Sequence, residues 1–283
     1  MADSDSSGPP APAPPGGPAT PAEAVAGVEV HAPTRGNRRL EALLAAANGD
    51  ERLKALWRMQ QVTADRLGMS DHSWVHVQVV LNIALRLFRL LVRRGVEPAL
   101  VTDHLMRDRD AEVAIAAACL LHDSGMSIHR TDHESYSLFL AAEILPRLLA
   151  DAYGEPERTV VAAEALHAII GHRRRGDPMT IEAGVVRVAD ALDLAQGRSR
   201  VPFETRRPNI HSLSAAAIDR VDIRAGEERA VTIEIAMNNS SGIFQVDELL
   251  ATKLRGSGLE DHVEVVARIE AEHEKRLVPV FRV

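Results

Sequence analysis

The spacing of apolar residues changes character once along this chain. From Arg38 to about Leu194 they recur at intervals of three and four, the period that lines one face of a helix. Leu40, Leu43 and Leu44 open the pattern, and Leu53, Leu56, Trp57, Val62 and Leu67 continue it, which predicts two short helices. A longer apolar segment from about His72 to Arg93 carries Val75, Val79, Val80, Ile83, Leu87, Leu90 and Leu91 and stops at Arg93-Arg94-Gly95, a basic helix end followed by glycine. Further helices are predicted from Asp110 to Asp123, His133 to Leu149, Pro156 to Gly171 and Val185 to Leu194.

Beyond Pro208 the period becomes two. Val231, Ile233, Ile235 and Met237 alternate with Thr232, Glu234 and Ala236, and Val221-Asp222-Ile223 precedes them across a Gly226-Glu227 turn, which predicts a hairpin. An amphipathic helix follows over Ile243 to Leu254, then strand candidates at Val263 to Ile269 and Leu277 to Val283. Residues 1–36 hold eight of the fifteen prolines, mixed with Ala, Gly and Ser, and are predicted to form a disordered tail. The fold class is therefore mainly α: the tail (1–36), a helical bundle (37–208) and a small α/β module (209–283).

Composition narrows the function classes. A net charge of -7 argues against stable nucleic-acid binding and against anionic membrane surfaces. No run approaches 18 apolar residues, so no membrane span is expected. Cys119 is the only cysteine, and the start of the sequence has no signal-peptide pattern, which points to a cytoplasmic protein without disulfides.

Candidate chemistry lies in histidines and acids set within the apolar helices. His76 sits among Val75, Val79 and Val80; His122-Asp123 closes the Ala-rich helix; Asp190 interrupts Val185 to Leu192. A buried carboxylate or imidazole costs several kcal/mol, by an order-of-magnitude estimate of about 3, unless it is paired or binds an ion. Four such groups on three helices point to a shared metal ion.

The order His76, His122-Asp123, Asp190 resembles the signature of the HD-domain superfamily of metal-dependent phosphohydrolases, over about Ser70 to Arg198. The segments Asp132-His133-Glu134-Ser135 and Gly171-His172 are similar to those of members with a second metal. The resemblance implies a first site of His76, His122, Asp123 and Asp190, and a second of His133 and His172 with Asp123 as bridge. Divalent Mn, Fe, Co, Ni, Zn or Mg all suit such ligands. Asp123 is the expected catalytic carboxylate and His129 a candidate proton donor to the leaving group. Arg173 and Arg198 are candidates for phosphate binding, because the stretch from His172 to Arg207 is locally basic, and Asp193 is a candidate to support the ligands.

Departures from relatives limit the substrate. Gly171-His172-Arg173-Arg174-Arg175-Gly176-Asp177-Pro178 lacks the His pair and Gly-Tyr-Pro of cyclic-di-GMP hydrolases, and Ser124 to His129 differs from the corresponding stretch of alarmone and dNTP hydrolases. The remaining resemblance is to stand-alone HD phosphohydrolases with a C-terminal extension. It implies hydrolysis of a phosphoester of a small nucleotide, with 2',3'-cyclic mononucleotides as the specific candidate. The alternative is a non-catalytic nucleotide-sensing module. A small sheet with one helix leaves an apolar face or edge that should pack on the helical domain or on the same module of a second chain, and a homodimer is the expectation.

Overall fold

The computed structural model describes residues 20–194, 214 and 216–269. Its helices are α1 (Pro21–Val25), α2 (Arg38–Gly49), α3 (Glu51–Leu67), α4 (Trp74–Arg93), α5 (Ala99–Thr102), α6 (Asp108–Leu121), α7 (His133–Leu148), α8 (Glu157–Gly171) and α9 (Ile181–Ala191). Local chemistry sets several starts. Asn37, Asp50, Ser73 and Thr180 each accept a backbone N–H from the first turn that follows, satisfying donors a helix leaves unpaired. The start of α5 has no such side chain. Buried Glu182, from the first turn of α9, substitutes for it by accepting the N–H groups of Ala99 at 3.0 Å and Leu100 at 2.9 Å.

Helix α6 is the axis of the bundle. From Ala111 to Leu121 every residue except Glu112 is buried, and the small side chains Ala114, Ala116, Ala117 and Ala118 let neighbours approach from all sides. Helices α2, α4, α8 and α9 surround it. Trp57 of α3 is fully buried and donates its indole N–H to Leu120 O at 2.8 Å, which ties α3 to the end of α6. By length and mean hydropathy α4 could cross a membrane, but half of its most apolar stretch is buried within this fold.

Part of the predicted tail is folded. Residues 20–36 include α1, and Val28 and Val30 lie in the hydrophobic core. Asn48 holds Val30 by two hydrogen bonds, accepting its N–H at 2.9 Å and donating to its carbonyl at 3.0 Å. Gln78 accepts the His31 N–H, and Asn82 donates to His31 O. Side-chain amides on α2 and α4 thus do for this segment what a neighbouring strand would do, a pairing that composition does not reveal. Residues 20–36 therefore belong to the fold.

The C-terminal module is a three-stranded sheet of β1 (Ile218–Ala225), β2 (Val231–Met237) and β3 (Val263–Ile269), in the order β1-β2-β3. The predicted hairpin is present, with Val221 opposite Ile235 and Ile223 opposite Ile233, whereas β3 runs parallel to β2 with Val231 opposite Val263. A parallel pair needs a long crossover. Here it contains α10, wound as a π-helix over Gln245–Ala251 and as one α-turn over Thr252–Leu254. Ile218, Ile223, Val231, Ile233 and Ile235 join the same core as the bundle, and Arg86 of α4 donates to Ile223 O at 2.5 Å. The bundle thus covers this apolar sheet face, one of the two surfaces expected for it. The strand predicted at Leu277 to Val283 lies outside the described residues.

Candidate metal centre

Five helix-associated segments deliver the side chains to one place. His76 comes from the first turn of α4, His122 caps the C-terminus of α6 and Asp123 follows it; His133 opens α7, His172 caps the C-terminus of α8 and Asp190 lies in the last turn of α9. The four histidines and Asp123 are buried, and Asp190 is nearly so. The approach of α7 depends on Gly125, which lies in a 3-10 turn (Ser124–Ser127) after Asp123. A Cβ there would lie 2.0 Å from His133 O and 2.5 Å from Ser137 N. Ser137 Oγ accepts the Gly125 N–H at 2.8 Å and donates to His122 O at 2.7 Å, so one hydroxyl joins the two segments.

Each carboxylate oxygen of Asp123 serves a different pair of rings. Oδ2 is 3.5 Å from His76 Nε2 and 3.6 Å from His122 Nε2; Oδ1 is 3.1 Å from His133 Nε2 and 3.7 Å from His172 Nε2. Asp190 Oδ1 joins the first group, at 3.5 Å from His76 Nε2 and 3.9 Å from His122 Nε2. Two ligands about 2.1 Å from one ion at ordinary coordination angles stand about 3–3.5 Å apart, which these separations match or slightly exceed.

The outer nitrogens leave the rings suited to ligation. His122 Nδ1 meets Cys119 O at 2.8 Å, His172 Nδ1 meets Ile169 O at 2.5 Å and His76 Nδ1 meets Asp193 Oδ2 at 2.6 Å. A carbonyl or carboxylate accepts the N–H of Nδ1, so in the neutral ring Nε2 carries the lone pair that a metal would take. His76 Nε2 and His122 Nε2 are only 3.3 Å apart. Two lone pairs facing at that distance repel unless a cation lies between them, and the donor set of imidazoles and carboxylates fits a divalent ion. Among the described residues, two such groups are present, His76 with His122 and Asp190, and Asp123 with His133 and His172.

A family model for the HD domain matches residues 70–195. An uncharacterized protein, MJ1020, of Methanocaldococcus jannaschii is 38% identical over 233 residues, spanning 82% of this chain and 88% of that protein. The chain belongs to the HD-domain family. HD domains are in general metal-dependent hydrolases that bind divalent ions, and both candidate ligand groups lie within the matched residues.

Protonation in the HD site favours ligation. Burial pushes His122 down to about 4, outweighing the nearby Asp123, so its ring is neutral at physiological pH. Burial alone would raise Asp123, but His122 and the hydrogen-bonding rings of His133, His172 and His76 hold it well below the usual carboxylate range. Asp190 is likewise held down against burial, chiefly by Lys253. Burial would lower His133, yet the hydrogen bond and charge of Asp123 lift it above the ordinary histidine value. The carboxylates are ionised and at least one ring is neutral before any ion arrives.

Of the other expected residues, His129 sits in an exposed turn where its Nδ1 accepts the Thr131 N–H at 3.0 Å, and it belongs to neither ligand group. Arg173 donates to Ser135 Oγ at 2.8 Å and lines a cleft of about 430 Å³ with Asp132, Glu134, Arg174 and Arg175. Arg198 lies outside the described residues. Two groups escaped the sequence. Arg130 brings Nη1 within 2.7 Å of His133 Nδ1. Lys253, on α10, donates to Asp190 Oδ2 at 2.7 Å and to His172 O at 2.6 Å. Its signal was rarity: the chain has 30 Arg and only three Lys, so a lysine here stands out.

Proposed function

We propose that this HD protein hydrolyses a phosphoester of a small nucleotide in a metal-dependent reaction, with 2',3'-cyclic mononucleotides as the first candidates. The carrying observation is the placement of the two Asp123 oxygens, one toward each histidine pair, which is the arrangement a bridging carboxylate needs. His76, His122 and Asp190 would hold one ion and His133 and His172 a second, with Asp123 shared. Divalent ions bound there supply Lewis acidity toward phosphoryl oxygens and make water acidic enough to attack phosphorus near neutral pH.

The chain's own residues do the rest. Asp193 orients His76 through Nδ1, while the helix-end carbonyls of Cys119 and Ile169 orient His122 and His172. Arg130, beside His133, and Arg173, in the adjoining cleft, bring guanidinium groups suited to phosphate oxygens. The nucleotide assignment draws on the resemblance to stand-alone HD phosphohydrolases and on this arginine-lined cleft.

The test is a panel of cyclic and linear nucleotides with Mn, Ni, Co or Mg added to chelator-stripped protein. The expected result is turnover of at least one nucleotide phosphoester that needs metal, with Arg173→Ala raising KM more than it lowers kcat. Metal and nucleotide binding without turnover would replace this reading with the nucleotide-sensing module.

A further inference from the structure

Asp190 is held from two sides. Its Oδ1 faces the Nε2 atoms of His76 and His122, and its Oδ2 accepts from Lys253 Nζ. The same ammonium donates to the carbonyl of His172, a member of the other ligand group. One cation from the C-terminal module therefore touches both halves of the centre, which the HD-domain match at residues 70–195 does not include.

The segment that carries Lys253 is fixed in place by the bundle. Buried Arg187 of α9 donates to Lys253 O at 2.8 Å, and the same guanidinium donates to Gly171 O at 3.3 Å and Arg174 O at 2.9 Å. It joins the crossover of the sheet to the turn that follows His172. On the same helix, Gly184 lets the chain at Ser257 come close, because a Cβ there would lie 2.1 Å from Ser257 O. Backbone, not a flexible side chain, makes that approach, so the position of Lys253 is set by docking of the module.

We propose that Lys253 is a positioning residue of the metal centre, through which the C-terminal module completes the HD site by locking the Asp190 carboxylate and the His172 end of α8. The inference rests on the metal-centre reading above. Lys253 occupies Oδ2, so only Oδ1 is left to face the ring nitrogens, and the carboxylate cannot rotate without losing a charge-assisted hydrogen bond. Partners that orient metal ligands in this way are typically worth about 10- to 100-fold in metal affinity. The ammonium also repels a dication, so a purely electrostatic role has the opposite sign: its removal would tighten metal binding.

The experiment is titration of Mn²⁺ alone into chelator-stripped, full-length protein, followed by calorimetry, for wild type, Lys253→Met and Lys253→Gln. Methionine keeps the aliphatic stem without donors, and glutamine is shorter and uncharged, so neither reproduces the charge-assisted bond to Asp190. Circular dichroism and melting checks confirm folding, and Lys253→Gln carries the comparison should Lys253→Met fail to fold. The expected result is Mn²⁺ affinity at least about tenfold weaker in the folded variants. Affinity within twofold of wild type, or tighter, overturns the positioning role while leaving the metal centre standing. Absence of Mn²⁺ binding by wild type overturns both.

Discussion

His76 Nε2 and His122 Nε2 face each other at 3.3 Å, each with its outer nitrogen committed to an oxygen acceptor. That pair is placed to take a cation between its nitrogens, and a ligand that binds only the folded state stabilises it by mass action. Divalent metal at 100 times its dissociation constant should add about 2.7 kcal/mol to unfolding stability, and a chelator should remove it. Denaturant titration with and without metal measures this; equal midpoints would refute the metal assignment.

Asp123→Asn should cost both ligand groups at once, because one side chain supplies an oxygen to each. Metal affinity and turnover should fall by about 100-fold or more, with far-UV circular dichroism unchanged, since the substitution keeps the volume of the side chain. Asp193→Asn, which disturbs only the orientation of His76, should have a smaller effect on affinity, about tenfold.

The two displaced histidines give metal-stripped protein a stability maximum near pH 6.5. His133, lifted above its unfolded value, contributes stability that is present below about 6.5 and is lost as pH rises through its folded value. His122, pushed down to about 4, has the opposite sign: the unfolded chain takes up a proton that the folded one refuses, so stability falls as pH drops from about 6.5 toward 4. Melting temperatures across pH 4–8 should trace both limbs, and His133→Asn should flatten the alkaline one. Metal should reverse the alkaline trend, because it competes with the proton on His133.

Gly125→Ala should destabilise the protein by about 3 kcal/mol, since the added methyl pushes against the backbone of His133 and Ser137 and the Cβ of Tyr136, and α7 must move. Metal affinity should drop as well, because that movement carries His133 away from Asp123. A variant with normal urea midpoint would show that the approach of α7 is looser than described.

Val30→Ala should cost about 2 kcal/mol, and deletion of residues 1–36 more than that, because Val28 and Val30 are part of the core and Asn48 loses both hydrogen-bond partners. Urea denaturation of the two variants is the check.

The helices of the site were legible because their chemistry is local in sequence. Apolar periodicity fixed the faces of α4, α6 and α9, and polar residues on those faces marked His76, His122 and Asp190. The hairpin was legible for the same reason, with period two in place of three to four. What periodicity does not carry is a contact between distant side chains. The strap on Val30 is made by an amide eighteen residues away, and the cap on α5 by Glu182, more than eighty residues away. Lys253 reaches Asp190 across 63 positions, and its own helix is wound with a π-turn that shifts the apolar stripe. The family resemblance supplied the metal ligands but says nothing of a partner beyond its own boundary.

The parallel pairing of β2 and β3 constrains how this gene can vary. Both ends of the crossover are pinned by ladder register, at Met237 opposite Ile269 and Val231 opposite Val263, and Lys253 lies between them. Insertions or deletions within that crossover move the lysine along the path and away from Asp190, whereas the hairpin turn at Gly226 to Ala230, held by Arg94 at the end of α4, makes no bond to either ligand group among the described residues. Length variation among homologues should therefore collect in the hairpin turn and be absent from the stretch between the parallel strands.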